Sequence, residues 1–268
     1  MMKRFLMLTL FISLVAGCGT QPAPTATPDP LPQVPDTTDE TELVEEETAV
    51  SSTDDTDDFT AQREQLIQEG IIGMGIIDQA VIDALRRVPR HQFVPDEHLA
   101  QAYNNHPLPI GYGQTISQPF IVALMTEAVD VGPADRVLEI GAGSGYQAAV
   151  LAELVAEVYT VEIIGPLADL SESRMAQLGY DNVAVKHDDG YFGWEEYAPF
   201  DAIVVTAAPD HVPQPLVQQL KIGGRMVIPV GPVGGYQTLW LVTRVSEEEV
   251  RTEDLGGVRF VPLTREEE

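Results

Sequence analysis

The sequence predicts an α/β fold: a mostly parallel, doubly wound sheet with an antiparallel edge and N-terminal helices ahead of it. Three observations carry this. Short β-branched runs alternate with helix-like stretches between residues 136 and 230, the pattern of parallel strands buried on both faces. An apolar strand runs into three glycines at alternate positions, Gly141, Gly143 and Gly145, and then into a helix. The strand after that ends on an acid, Glu162.

Taken in order, Phe59–Gly70 and Ile76–Val88 read as helices. In the second, Ile77, Val81, Ile82 and Leu85 recur at helical spacing, and Pro89 lies just beyond. A further helical pattern follows the segment Gly113–Phe120. The strands are Arg136–Ile140, Val158–Val161, Val183–Lys186, Ala202–Thr206 and Met226–Val230, with helices at Tyr146–Leu154, Leu167–Leu178 and Pro213–Leu220. Leu239–Val245 and Val258–Val261 come without clear intervening helices, so they are expected to close one edge antiparallel.

Charge divides the chain of 268 residues into three parts. Residues 1–18 carry Lys3 and Arg4 and no acid, residues 19–58 carry twelve acids and no base, and residues 59–268 carry thirty acids against thirteen bases. The total of −27 excludes an electrostatic grip on nucleic acid or anionic lipid, since both demand a basic face. One cysteine excludes an intramolecular disulfide and a cysteine-rich zinc site.

The first part is a basic start followed by an apolar run from Phe5 to Ala16, too short to span a bilayer as a helix. Val15-Ala16-Gly17-Cys18 resembles the lipobox of bacterial lipoproteins, which implies cleavage and lipidation of Cys18. Residues 19–58, rich in Pro, Thr and acids, hold too little apolar surface to fold and are expected to form an extended linker. The expected organisation is therefore a signal peptide over 1–18, a linker over 19–58 and one domain over 59–268, in an exported, lipid-anchored protein.

The glycine turn lets backbone approach a ligand and leaves N–H groups free at a helix start. Its spacing is G-x-G-x-G, not the dinucleotide pattern. Glu162 lies 17 residues after Gly145, where such folds place an acid to accept hydrogen bonds from a ribose diol. Asp188-Asp189-Gly190 follows the third strand, where a carboxylate can reach an adenine amino group. Signals at three successive strand ends indicate an adenosine-containing ligand in a methyltransferase-like fold. Around Ser117 there is no hydrolase arrangement and no G-x-S-x-G elbow, and a helix cap with Pro119 in the first turn is the plain alternative.

Several segments carry a resemblance. Gly113-Gln114-Thr115-Ile116-Ser117-Gln118-Pro119, Leu138-Glu139-Ile140-Gly141, Gly143-Ser144-Gly145-Tyr146, Asp189-Gly190-Tyr191 and Phe260-Val261-Pro262-Leu263-Thr264 resemble protein-L-isoaspartate (D-aspartate) O-methyltransferases. The match runs from about residue 62 to 265 and implies a Rossmann-like, S-adenosylmethionine-dependent methyltransferase fold. It also implies methyl transfer to the α-carboxylate of isoaspartyl residues in damaged protein; the ester then closes to a succinimide that can reopen to aspartate. A carboxylate is ionised at neutral pH, so no general base is needed. Alignment and exclusion of water remain for the protein to supply.

On this resemblance Ser117 is the active-site serine, orienting the substrate carboxylate. Thr115 beside it and Ile116 on the cofactor's side wall the methyl-transfer site. Gly141, Gly143, Glu162, Asp189, Gly190 and Thr264 match the cofactor pocket, and backbone at Ala207, Ala208, Val230 and Gly231 is expected to hold substrate as an extended strand. Two departures bear on cofactor affinity: the family's Gly-Asp-Gly is Asp188-Asp189-Gly190, and its Glu-Arg-Ile is Glu162-Ile163-Ile164. The expected partners are isoaspartyl-containing proteins, and the chain is expected to be a monomer. The five histidines show no metal-ligand spacing, although His91 and His98 are placed to share a helix face, and no metal is expected. Tyr191 and Trp194 are expected to pack a loop. A tethered, inactive binding module of the same fold, or transfer to another carboxylate, are the alternatives.

Overall fold

The computed structural model describes residues 55–265; the leader, Cys18 and the linker as far as residue 54 lie outside the described residues. Helix α1 (Asp55–Gln65) starts inside the stretch assigned to the linker and runs on into a π-helical turn, Leu66–Ile71. Helix α2 (Gln79–Arg87) is shorter than the pattern Ile76–Val88 predicts, for a local reason. The Asp78 carboxylate caps it by accepting from the Ala80 N–H at 2.8 Å, and the Glu127 carboxylate accepts from the Ile77 and Asp78 N–H groups at 2.9 and 2.7 Å. His91 and His98 sit on two separate 3-10 turns, Arg90–Phe93 and Asp96–Gln101, not on one helix face. The His91 ring stacks on Phe59 at 4.3 Å.

A hairpin absent from the sequence pattern follows. Strands β1 (Leu108–Gly111) and β2 (Gln114–Ile116) pair antiparallel and deliver the chain to helix α3 (Pro119–Val129). The main sheet is then built from β3 (Arg136–Ile140), α4 (Tyr146–Ala152), β4 (Glu157–Glu162), α5 (Gly165–Leu178), β5 (Val183–His187) and β6 (Phe200–Val205). Helix α6 (Gln214–Gln219) leads into β7 (Leu220–Val230), which starts at Leu220 rather than Met226. Strands β8 (Gln237–Arg244) and β9 (Val250–Val258) complete it.

The strand order is β5-β4-β3-β6-β7-β8-β9, parallel as far as β7 and antiparallel from β7 to β9. The last strand corrects the expectation of Val258–Val261. Val250–Val258 is a largely exposed edge, so it lacks the apolar signature of a buried strand. Phe260 and Val261 are apolar for another reason: they leave the sheet, and Phe260 packs on the core cluster around Val204 and Val227.

Alternate side chains of the central strands point to opposite faces. Leu138, Ile140, Ile203 and Ile228 fill one layer, and Val137, Val204 and Val227 the other. The N-terminal segments form a third cluster with Tyr146, Ala149 and Val150 of α4. Chain order reverses between β3 and β6, and in open α/β sheets the crevice for a ligand lies at the C-terminal ends of such a pair.

Candidate functional site

The glycine turn stands at that reversal. Gly141 has φ +98°, and a Cβ there would lie 2.4 Å from Thr206 Oγ1. The hydroxyl of Thr206, at the end of β6, donates to the Gly141 carbonyl at 2.7 Å and lies 2.9 Å from that of Ile140. Strands β3 and β6 are thus pinned together where the crevice opens.

Glu162 ends the neighbouring strand β4 and is buried. Its carboxylate accepts from the Gly143 N–H at 2.8 Å through Oε2 and from the Ile164 N–H at 2.9 Å through Oε1. One lone pair on each oxygen goes to the backbone, and the others face a cleft lined by Glu162, Gly141, Gly143, Gly190 and Thr264, with apolar walls that include Ile140 and Leu263. An acid placed for a diol, apolar walls for a base and a glycine floor fit S-adenosylmethionine.

Other expected residues stand apart from that lining. Asp189 does not line the cleft; its Oδ1 accepts from the Tyr191 N–H at 2.9 Å and its Oδ2 from Arg265 Nε at 2.6 Å. The Arg265 guanidinium lies 3.9 Å above the Tyr191 ring and 4.8 Å from Phe192. Tyr191 therefore packs a loop as expected, and Trp194 does the same against Tyr159 and Tyr197. The additional acid, Asp188, turns away to pair with Lys186, and the hydrogen bond to that ammonium holds its carboxyl below the usual range. Ile163 lines the cleft where the family's arginine would stand.

The C-terminal residues cover the cleft as a strap. The Ala208 N–H donates to Val261 O at 2.8 Å, and the Leu263 N–H donates to Ala208 O at 2.9 Å. The Gly231 N–H is held by Pro209 O at 3.0 Å. The strand position that the sequence offered a substrate peptide beside Ala208 is therefore occupied by the chain itself. Ala207 lines the cofactor cleft, whereas Val230 and Gly231 line neither it nor the outer cleft.

Ser117 lies between β2 and α3. Gln118 occupies the cap position of α3 without a side-chain bond, and the Ser117 hydroxyl has no hydrogen-bond partner among the described residues. It is left available rather than spent as a cap. Ser117 lines an outer cleft of about 340 Å³ and a small inner cavity. Thr115 and Thr206 line both of these and the cofactor cleft as well, so the three spaces meet at these residues. Ile116 is buried beside Ser117 in the inner cavity and not in the cofactor cleft.

Sequence reasoning missed Thr206 as a site residue; its signal is a polar side chain closing an apolar strand. It also missed Glu139, which is fully buried in the inner cavity with Gln147. Thr160 donates to Glu139 Oε2 at 2.5 Å, while Glu139 Oε1 and Gln147 Oε1 have no partner. Burial pushes the Glu139 carboxyl up to about 8, so at neutral pH it carries a proton it can donate.

Fold and cleft define a class, the doubly wound α/β enzymes that seat a nucleoside-containing ligand at the end of the central strand. The chain belongs to the protein-L-isoaspartate(D-aspartate) O-methyltransferase family, whose profile matches residues 61–268. It is 56% identical over 192 residues to the protein-L-isoaspartate O-methyltransferase 2 of Polaromonas sp., covering 72% of this chain and 91% of that one. With the protein-L-isoaspartate O-methyltransferase of Picosynechococcus sp. the identity is 54% over 207 residues, 77% of this chain and 92% of the other. Among solved structures, a protein-L-isoaspartate O-methyltransferase superposes with TM-score 0.69 at 30% identity, over 75% of this chain and 65% of that chain. A further one from Plasmodium falciparum, described as a complex with S-adenosyl-L-homocysteine, gives TM-score 0.65 at 26% identity over 77% of this chain and 98% of its own.

Proposed function

We propose that this chain methylates the α-carboxylate of L-isoaspartyl and D-aspartyl residues in damaged proteins, with S-adenosylmethionine as donor. The observation that carries the reading is the meeting of the cofactor cleft and the outer cleft at Thr115 and Thr206, beside an uncommitted Ser117 hydroxyl, in a chain of this family. The donor supplies an electrophilic methyl group; one carboxylate oxygen of the substrate forms the new bond to it as the bond to sulfur breaks. No proton moves, so the protein's task is placement. Glu162 fixes the ribose end, Ser117 donates a hydrogen bond to the substrate carboxylate, and Thr115 and Thr206 set the line between them. Asp188, paired with Lys186, adds no charge to the cofactor cleft. The test is transfer of radiolabelled methyl to an isoaspartyl peptide and to its aspartyl twin. Transfer to the first alone supports the reading, and transfer to neither or to both equally contradicts it.

We also propose that the chain is exported and tethered by a lipid on Cys18. The support is the basic start, the short apolar run and a lone cysteine behind Val15-Ala16-Gly17, followed by the acidic linker. Labelled fatty acid should enter the full chain and not Cys18→Ser; equal labelling, or none in either, overturns this.

A further inference from the structure

The outer cleft carries one feature that methyl transfer does not use. Among its described lining residues Arg259 alone is charged. It follows the edge strand β9, is exposed, and has neither an ion pair nor a hydrogen bond among the described residues. Its guanidinium rests 4.7 Å from the centre of the Tyr236 ring, in the turn between β7 and β8. Arg251, on β9, is likewise exposed and without an ion pair or side-chain hydrogen bond among the described residues, but it does not line the cleft. Arg136, Lys186, Lys221 and Arg265 each hold a carboxylate. Arg259 instead lies on an aromatic face that limits its freedom, in the cleft that contains Ser117.

We propose that Arg259 forms a subsite for an anionic side chain, aspartate or glutamate, close to the isoaspartyl residue in the substrate chain. This rests on the methyltransferase reading above. A guanidinium on the reacting carboxylate itself would draw charge from the attacking oxygen, and Arg259 lines the outer cleft but neither the cofactor cleft nor the inner cavity that Ser117 also lines. The group it meets is therefore a neighbour of the reacting one. The net charge of the domain repels acidic peptides, and a local cation where substrate binds reverses that preference over the short range left by salt screening. Arginine forms a forked pair of hydrogen bonds with a carboxylate. Tyr236 is a positioning residue, acting through the guanidinium that it supports.

The experiment uses the full chain and isoaspartyl peptides that differ only in carrying Glu, Gln or Lys before or after the isoaspartyl residue. In the wild type, kcat/KM for the better-placed Glu peptide should exceed that for its Gln twin by roughly fivefold, the size of one half-exposed ion pair. The difference should lie in KM and shrink at high salt. In Arg259→Gln the ratio should fall to about one, in Arg259→Glu the Lys peptide should become the preferred one, and Arg259→Lys should keep part of the preference for Glu. Tyr236→Ala should reduce the ratio, and Tyr236→Phe should retain it. A wild-type ratio of one at both positions, or a ratio unchanged in Arg259→Gln, overturns the subsite. Equal loss on every peptide in Arg259→Gln also overturns it, because that pattern places Arg259 on the reacting carboxylate or in the fold. Failure of the methyltransferase reading differs from all of these: no isoaspartyl peptide would be methylated, whatever its flanking residue.

Discussion

The floor of the cofactor cleft, from the glycine turn to Glu162, is anchored by buried backbone bonds between parallel strands and by a carboxylate with 5% of its residue surface exposed. The cover, residues 259–265, is tied to the rest of the domain by two backbone bonds at Ala208, the Gln237 side chain, the packing of Phe260 and Leu263 on the core, and the pair Arg265–Asp189, with Arg265 43% exposed. The floor is a product of core packing, so changing it endangers the fold. The cover is held by fewer contacts and ends on a partly solvated one, Arg265, which can be altered with the fold intact. A site made in this way keeps its reference geometry fixed and leaves its closure adjustable.

Breaking the floor at its tightest point should have the largest effect. Gly141→Ala places a methyl group against Thr206 Oγ1 at a positive φ, and should cost about 2–4 kcal/mol of stability, read by urea denaturation. Glu162→Gln keeps the volume and removes the charge, so S-adenosylmethionine binding should weaken about 10- to 100-fold in calorimetry while the domain stays folded. Glu139 tests the floor through pH. Its folded carboxyl lies at about 8 against an ordinary 4.5, so the folded state holds a proton that the unfolded chain has lost between those values. Its contribution to stability is complete below pH 4.5 and is lost as pH rises to about 8, at up to about 1.4 kcal/mol per pH unit. Glu139→Gln should flatten that slope, measured by denaturation across the range. The cover should yield the smallest change: Arg265→Ala should weaken cofactor binding only about threefold, with the difference fading at high salt.

The same contrast explains what was legible in the sequence. Strands β3, β4 and β6 are buried on both faces, so their β-branched runs could be read directly, and the expected Arg136–Ile140 coincides with β3. The hairpin β1–β2 is short and contains Pro109, and β9 is polar and exposed, so neither gives an apolar period to read. Glu162 was legible because its distance from the glycine turn follows from one strand–helix–strand unit. Thr206, Arg259 and Arg265 were not, because their importance depends on which strands are neighbours and where the last residues fold back. Asp189 was found by its motif, but its engagement with Arg265 joins residues far apart in the chain.

The central claim is that the two clefts meet at Thr115 and Thr206, with Ser117 serving only the reacting carboxylate. The direct measurement is kcat on an isoaspartyl peptide together with the calorimetric Kd for S-adenosylmethionine, in the wild type and in Ser117→Ala. The account predicts kcat lower by about 10- to 100-fold, the size of one lost hydrogen bond to a charged group, with Kd unchanged within twofold. An unchanged kcat, or a parallel loss of cofactor binding, would contradict it.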